Sequence, residues 1–159
     1  MVDGLRLRRA VRWPPAAALT VVDAFTREAL AIEVDQGNKG EQVVAVVARL
    51  AMLRGAPCAI QVDNGPEFVS KALDRWAYEN GVTLDFSRPG KPTDNALVES
   101  FNGRLRDECL NANWFLSLAD ARSKIETWRR QYNESRPHTA LGWLTPQEFA
   151  LAAALQAAE

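Results

Sequence analysis

The chain has 159 residues, 47% hydrophobic and 25% charged, which is enough for one cored domain with an appendage and too little for two full domains. Its 19 basic residues stand against 20 acidic ones, for a net charge of -1, so the bulk positive charge of many nucleic-acid binders is excluded and any such contact must use local patches. Cys58 and Cys109 lack metal-ligand spacing and read as reduced, buried side chains, and no apolar run has signal-peptide or membrane-span length, so a soluble, cytoplasmic chain is expected.

The first clear elements are two β-branched, apolar runs, Ala18 to Asp23 and Ala29 to Val34, joined by the turn-like Phe25-Thr-Arg-Glu28 and read as a hairpin. Asn38 with Glu41 three residues on marks a helix start, and Val43, Val44, Val47, Leu50 and Ala51 recur at helical spacing until Gly55. Cys58 to Val62 is a short buried-strand pattern that stops at Asp63-Asn-Gly65. A helix over about 68–80 ends at Gly81, and Val82 to Phe86 gives another strand. After the loop Ser87 to Thr93 comes a helix with Leu97, Val98, Phe101 and Leu105 on its apolar face. Ser117 and Asp120 cap a further helix with the stripe Leu118, Ala121, Ile125, Trp128 and Tyr132. Thr145-Pro-Gln-Glu148 opens the last one with a cap, a proline and a capping-box glutamate. Trp114, Phe115, Trp128 and Tyr132 are expected in the helix core. This order predicts an α/β layer fold, a mixed sheet flanked by helices with a helical C-terminal extension.

Two carboxylates stand out. Asp63 ends a hydrophobic strand, where sites gather in open α/β sheets, although Asp-Asn-Gly is also an ordinary turn. Glu99 shares a helix face with Asn102 and Arg106, distinct from the face of Leu97, Phe101 and Leu105, and by itself that is an ordinary solvated face.

The combination says more, with 35 residues between Asp63 and Glu99. The strings Val62-Asp-Asn-Gly-Pro-Glu-Phe68, Arg88-Pro-Gly-Lys-Pro-Thr-Asp-Asn-Ala96, Glu99-Ser-Phe-Asn-Gly103 with Arg106, Tyr132-Asn-Glu-Ser-Arg-Pro-His138 and Leu144-Thr-Pro-Gln-Glu-Phe149 occur in this order. Over about 18–150 the chain is similar to OrfB-type transposases of the insertion-sequence-three group, relatives of retroviral integrases. The resemblance implies an RNase H-like fold in which Asp63 and Glu99 are the second and third carboxylates of a DDE site. It also implies a two-metal site of Mg²⁺ or Mn²⁺, hard cations that prefer carboxylate oxygens and that activate the attacking oxygen and stabilise the leaving one in DNA nicking and strand transfer. Arg106, Lys91, Arg88 and Arg104 are the expected DNA contacts, with Arg129, Arg130 and Arg136 as further patches. The implied partners are insertion-sequence ends and target DNA, with a second copy or an intact transposase, in the bacterial cytoplasm at the nucleoid.

The family's first aspartate, carried in Trp-x-x-Asp-Phe on the first strand, is missing. Asp23 lies in the family's second strand and reads as structural; Asp3 is the nearest stand-in, but its neighbours Gly4 to Arg9 do not match. Codons exist for Met1 to Ala10 that, read one nucleotide along, spell Trp-Ser-Met-Asp-Phe-Val-Ser-Asp-Ala. The expected division is therefore 1–17 as an atypical, out-of-frame N-terminus on a truncated chain, 18–110 as the RNase H-like catalytic core with its first strand missing or replaced, and 111–159 as the helical extension. Losing that strand would leave unpaired sheet edges and a marginal fold, because arginines are costly between two helix layers. The resulting reading is a catalytic domain impaired by loss of its first aspartate. The alternatives are a non-catalytic DNA-binding or oligomerising remnant, and an RNase H-like nuclease serving the cell, which the C-terminal motifs disfavour.

Overall fold

The computed structural model describes residues 4–13, 16–37 and 39–159. Five strands, β1 (Leu5–Trp13), β2 (Ala16–Asp23), β3 (Ala29–Asp35), β4 (Ala59–Val62) and β5 (Thr83–Phe86), form one sheet in the order β3-β2-β1-β4-β5. The first three strands pair antiparallel, whereas β1–β4 and β4–β5 are parallel. Helices α1 (Gly40–Arg54) and α2 (Lys71–Asn80) cover one face, and α3 (Ala96–Leu105) and α4 (Leu118–Ser135) cover the other, with α5 (Pro146–Ala157) following.

Alternation along the strands feeds two cores. Leu5, Leu7, Leu19, Val21, Ile60 and Val62 meet Val43, Val47, Leu73 and Trp76 on the first face. On the second face Ala18, Val22 and Val34 meet Val98, Phe101, Leu105, Ile125, Trp128 and Tyr132. Every residue of β2 is buried, as a strand covered on both faces requires.

The capping signals at the C-terminal helices hold: Ser117 Oγ accepts from Asp120 N at 3.0 Å, and Thr145 Oγ1 accepts from Glu148 N at 3.2 Å while Glu148 Oε2 takes Thr145 N at 2.8 Å. Gly81, at φ 66°, closes α2 by donating to Ala77 and Tyr78 carbonyls.

Several expectations need correcting. The central position of the sheet is filled by a replacement strand, because β1 pairs with β2 along its length and with β4 over Leu5–Leu7. β2 begins at Ala16, two residues before the start expected for the hairpin. The proposed cap Asn38 lies outside the described residues; α1 starts from Lys39, whose N–H donates to Gln42 Oε1 at 2.7 Å. The helix expected from Phe68 begins at Lys71, and Phe68 is a fully buried plug in the turn before it. Cys58 is exposed, because it lies in the bend before β4 and not in the strand; Cys109 is buried, and desolvation pushes its thiol up to about 11. Trp114 is 91% exposed in the loop before α4 and belongs to no core.

Candidate functional site

Asp63 follows the last residue of β4, where the parallel strands end and α3 begins nearby. Its Oδ1 accepts from Asn64 N at 2.8 Å, and Asn64 Nδ2 donates to the Ser87 carbonyl at 2.7 Å. Ser87, buried at the end of β5, returns two bonds to Val62 O, from its N at 3.0 Å and its Oγ at 3.2 Å. The same hydroxyl lies 2.7 Å from Asn95 Oδ1, the residue before α3. One polar chain thus ties the strand end that carries Asp63 to the start of the helix that carries Glu99, in its first turn. A carboxylate there is also favoured by the helix dipole.

The shared face of Glu99, Asn102 and Arg106 is not simply solvated. Glu99 and Arg106 are exposed, but Asn102 is buried at 4% and its Oδ1 accepts from Thr20 Oγ1 at 2.9 Å, with its Nδ2 lacking a hydrogen-bond partner. The helix packs its polar edge onto β2 because Thr20 offers a donor at the sheet surface. Arg106 opens a π-helical turn, Arg106–Leu110, that buries Cys109 and Leu110 in the second core.

The expected first carboxylate is not supplied by the described residues. Asp3 lies outside them. Asp23 is buried at 2%, and its Oδ1 accepts from Phe25 N at 2.8 Å and Thr26 N at 3.1 Å, which makes it the clamp of the β2–β3 turn. The register of β1 sets Arg6 beside Gln61 and Leu7 beside Val62, so the next backbone position, level with Asp63, is Arg8. Arg6 sits partly buried on the α3 face, where it donates from Nη1 to Asp94 O at 2.7 Å and keeps Nε buried without a partner. Burial lowers its pKa, with Arg27 adding repulsion. Among the described residues no three histidine, cysteine, aspartate or glutamate side chains come together to hold a metal.

The basic candidates divide. Arg88 is held by Asp94, with Nε–Oδ2 and Nη2–Oδ1 both 2.9 Å, and that pair holds the Asp94 carboxyl down to about 2. Arg129 binds Glu126 and the Ala29 carbonyl, Arg130 shares Glu126, and Arg136 pairs with Glu108. Arg104, Arg106 and Lys91 are exposed and make no ion pair among the described residues. His138 buries an Nε2 without a hydrogen-bond partner. Ser87, Asn64, Asn95 and Thr20 are positioning residues that sequence reasoning missed; their small polar side chains look like loop and strand filler until the chain folds.

Two models of the integrase core domain match the chain, one over residues 2–92 and the other over 80–146. The insertion element IS407 31.7 kDa protein of Burkholderia multivorans is 58% identical over 94% of the chain and 52% of its own length. The insertion element IS476 39.2 kDa protein of Xanthomonas euvesicatoria is 52% identical over 83% of the chain and 38% of its own length. The chain thus spans about half or less of the curated relatives it matches. Among solved structures, the catalytic core domain of BIV integrase superposes with TM-score 0.75 at 18% identity over all of both chains. The HTLV-2 integrase catalytic core, solved with magnesium in a trimeric form, gives 0.71 at 17% identity over 93% of this chain and 95% of that one. These likenesses establish the RNase H-like fold and the resemblance to insertion-sequence proteins.

Proposed function

The chain belongs to the integrase core domain family, and from that premise we propose that it is the DNA-handling core of an insertion-sequence transposase whose strand-transfer chemistry is impaired. The observation that carries the reading is that β1, which pairs in parallel with the strand ending before Asp63, offers no carboxylate anywhere along Leu5–Trp13. Asp63 and Glu99 are the donors a divalent cation would use. A hard cation wants six or so oxygen ligands, and a two-ion site wants a carboxylate reaching both ions. Asp63 and Glu99, with no third carboxylate beside them among the described residues, fall short of that set.

What remains is DNA binding. Lys91, Arg104 and Arg106 lie before, on and just after α3 and present ammonium and guanidinium groups to phosphates. Binding to insertion-sequence ends, assembly with a second copy or an intact transposase, and a place at the bacterial nucleoid all belong to this reading. So does an out-of-frame origin for residues 1–17, which the coding DNA tests directly. A non-catalytic partner of an active transposase is the second reading, favoured by the same observation.

The test is Mg²⁺- and Mn²⁺-dependent nicking of element-end DNA alongside DNA binding over a salt series. The expected result is binding that weakens with salt and no metal-dependent nicking, with nicking gained when the amino terminus is replaced by the shifted reading Trp-Ser-Met-Asp-Phe-Val-Ser-Asp-Ala and lost again when Asp63→Asn or Glu99→Gln is added. Nicking by the unaltered chain that Asp63→Asn abolishes would overturn the impairment. Absence of salt-sensitive DNA binding would overturn the reading as a whole.

A further inference from the structure

The loop from β5 to α3 closes on itself. Lys91 N donates to Arg88 O at 3.3 Å, Asp94 N donates to Lys91 O at 3.2 Å, and Ser87 Oγ lies 2.7 Å from Asn95 Oδ1, so the two ends are tied together before α3 starts. Inside this ring Arg88 turns three donors on one carboxylate. Its N lies 3.3 Å and its Nε 2.9 Å from Asp94 Oδ2, and its Nη2 lies 2.9 Å from Asp94 Oδ1. A backbone N–H beside two arms of a guanidinium fork is a donor set that suits a phosphate group, and here the protein's own carboxylate fills it.

The two partners are not held alike. Asp94 is anchored through its main chain, by its N to Lys91 and by its carbonyl, which accepts from Arg6 Nη1 at 2.7 Å, and its side chain is only 15% exposed. The Arg88 side chain is 62% exposed and makes no other ion pair among the described residues, so the arginine is the partner free to turn. An exposed pair adds little net stability, and a phosphodiester brings the same charge and the same two-oxygen geometry to the fork. Asp94 also faces the charges of Arg6 and Lys91, so leaving Arg88 does not strand an isolated carboxylate. Position gives the exchange a use: the Ser87 carbonyl, one residue before Arg88, accepts from Asn64 Nδ2 at 2.7 Å, which ties the root of Arg88 to the turn that carries Asp63.

We propose that the Arg88 fork is a seat for one phosphodiester group of a DNA strand and that Asp94 occupies this seat in the free chain, so that DNA gains the contact only by displacing an internal carboxylate. Asp94 thereby sets how tightly the end of the sheet beside Asp63 holds a strand. The identity of the ligand as DNA rests on the reading of the chain as a transposase core.

The experiment measures duplex binding by the full chain over a salt series, with melting midpoints alongside. Asp94→Asn and Asp94→Ser remove the same charge with different side chains, and Glu79→Gln makes the same charge change at another exposed pair, Arg75–Glu79 on α2. Both Asp94 variants are expected to bind about three- to tenfold tighter at low salt, with the salt slope steeper by about one, the signature of one added phosphate contact. Adding Arg88→Gln should abolish both gains, and Glu79→Gln should produce neither. A pair that only staples the loop would give the opposite sign, a lower melting midpoint with equal or weaker binding. Binding by the wild type that the Asp94 variants leave unchanged or weaken, or loss of folding in both, overturns the proposal and leaves the transposase reading standing. A gain that survives Arg88→Gln or is matched by Glu79→Gln assigns the effect to net charge and also overturns it. Duplex binding absent from every variant overturns both.

Discussion

Asn102 shows how one side chain changes meaning between sequence and structure. At the sequence level it sits three residues from Glu99 on a polar stripe, yet it is buried at 4% and bound to Thr20 Oγ1 at 2.9 Å. Thr20→Val removes the donor and leaves a buried amide with both ends unsatisfied, so a loss of about 1–3 kcal/mol is expected in denaturant unfolding. Adding Asn102→Leu should recover much of that loss, since replacing both partners by apolar groups removes the unsatisfied atoms. A double variant as unstable as the single one would show that the pair is not what holds α3 on the sheet. Polarity alone predicts a solvent-facing asparagine; only the neighbouring strand makes burial affordable.

At the level of elements, the helices are locally well specified and their approach to one another is not. α1 begins at Gly40 hard against the cap of α2: a Cβ at Gly40 would stand 2.6 Å from both Cβ and Oγ of Ser70. Ser70 Oγ accepts from Leu73 N at 3.2 Å, so it cannot move without giving up the α2 cap. Gly40→Ala is therefore expected to cost about 1–2 kcal/mol, the scale of a lost N-cap. A Ser70→Gly background should make the same substitution far milder, because the obstructing atoms are gone and glycine is a fair N-cap. Equal cost in both backgrounds would place the strain elsewhere. β1 carries the opposite lesson, because Arg6, which looks unsuited to a central strand, is accommodated by backbone pairing on both sides and by Asp94 O accepting from its Nη1.

For the whole molecule, charge placement sets a two-stage acid response. His138 has its pKa lowered from 6.5, first by burial and then by Arg104, Arg136 and Arg27. The unfolded chain therefore binds that proton more readily, and stability falls as pH drops below about 6.5 toward the folded value. Asp94, Glu108, Asp120 and Glu126 are lowered by hydrogen bonds to cations or backbone, so their contribution is full above ordinary carboxylate values and is lost as pH falls through the folded ones, for Asp94 about 2. A melting-midpoint profile should show a first decline below about pH 6.5 that His138→Gln removes, then a steeper one below about pH 4. A single carboxylate step in both proteins would refute the first stage. Sequence by itself determined the helix starts at Ser117 and Thr145, the hairpin of Ala18 to Val34 and the family resemblance, because caps, alternation and motif order are local and survive without neighbours. Only the tertiary structure decided that Leu5–Trp13 lies between β2 and β4 in the sheet and that Ser87 links Asp63 to the start of α3. Those facts depend on pairing partners and packing distant in the chain, and no local pattern encodes which charge will meet which.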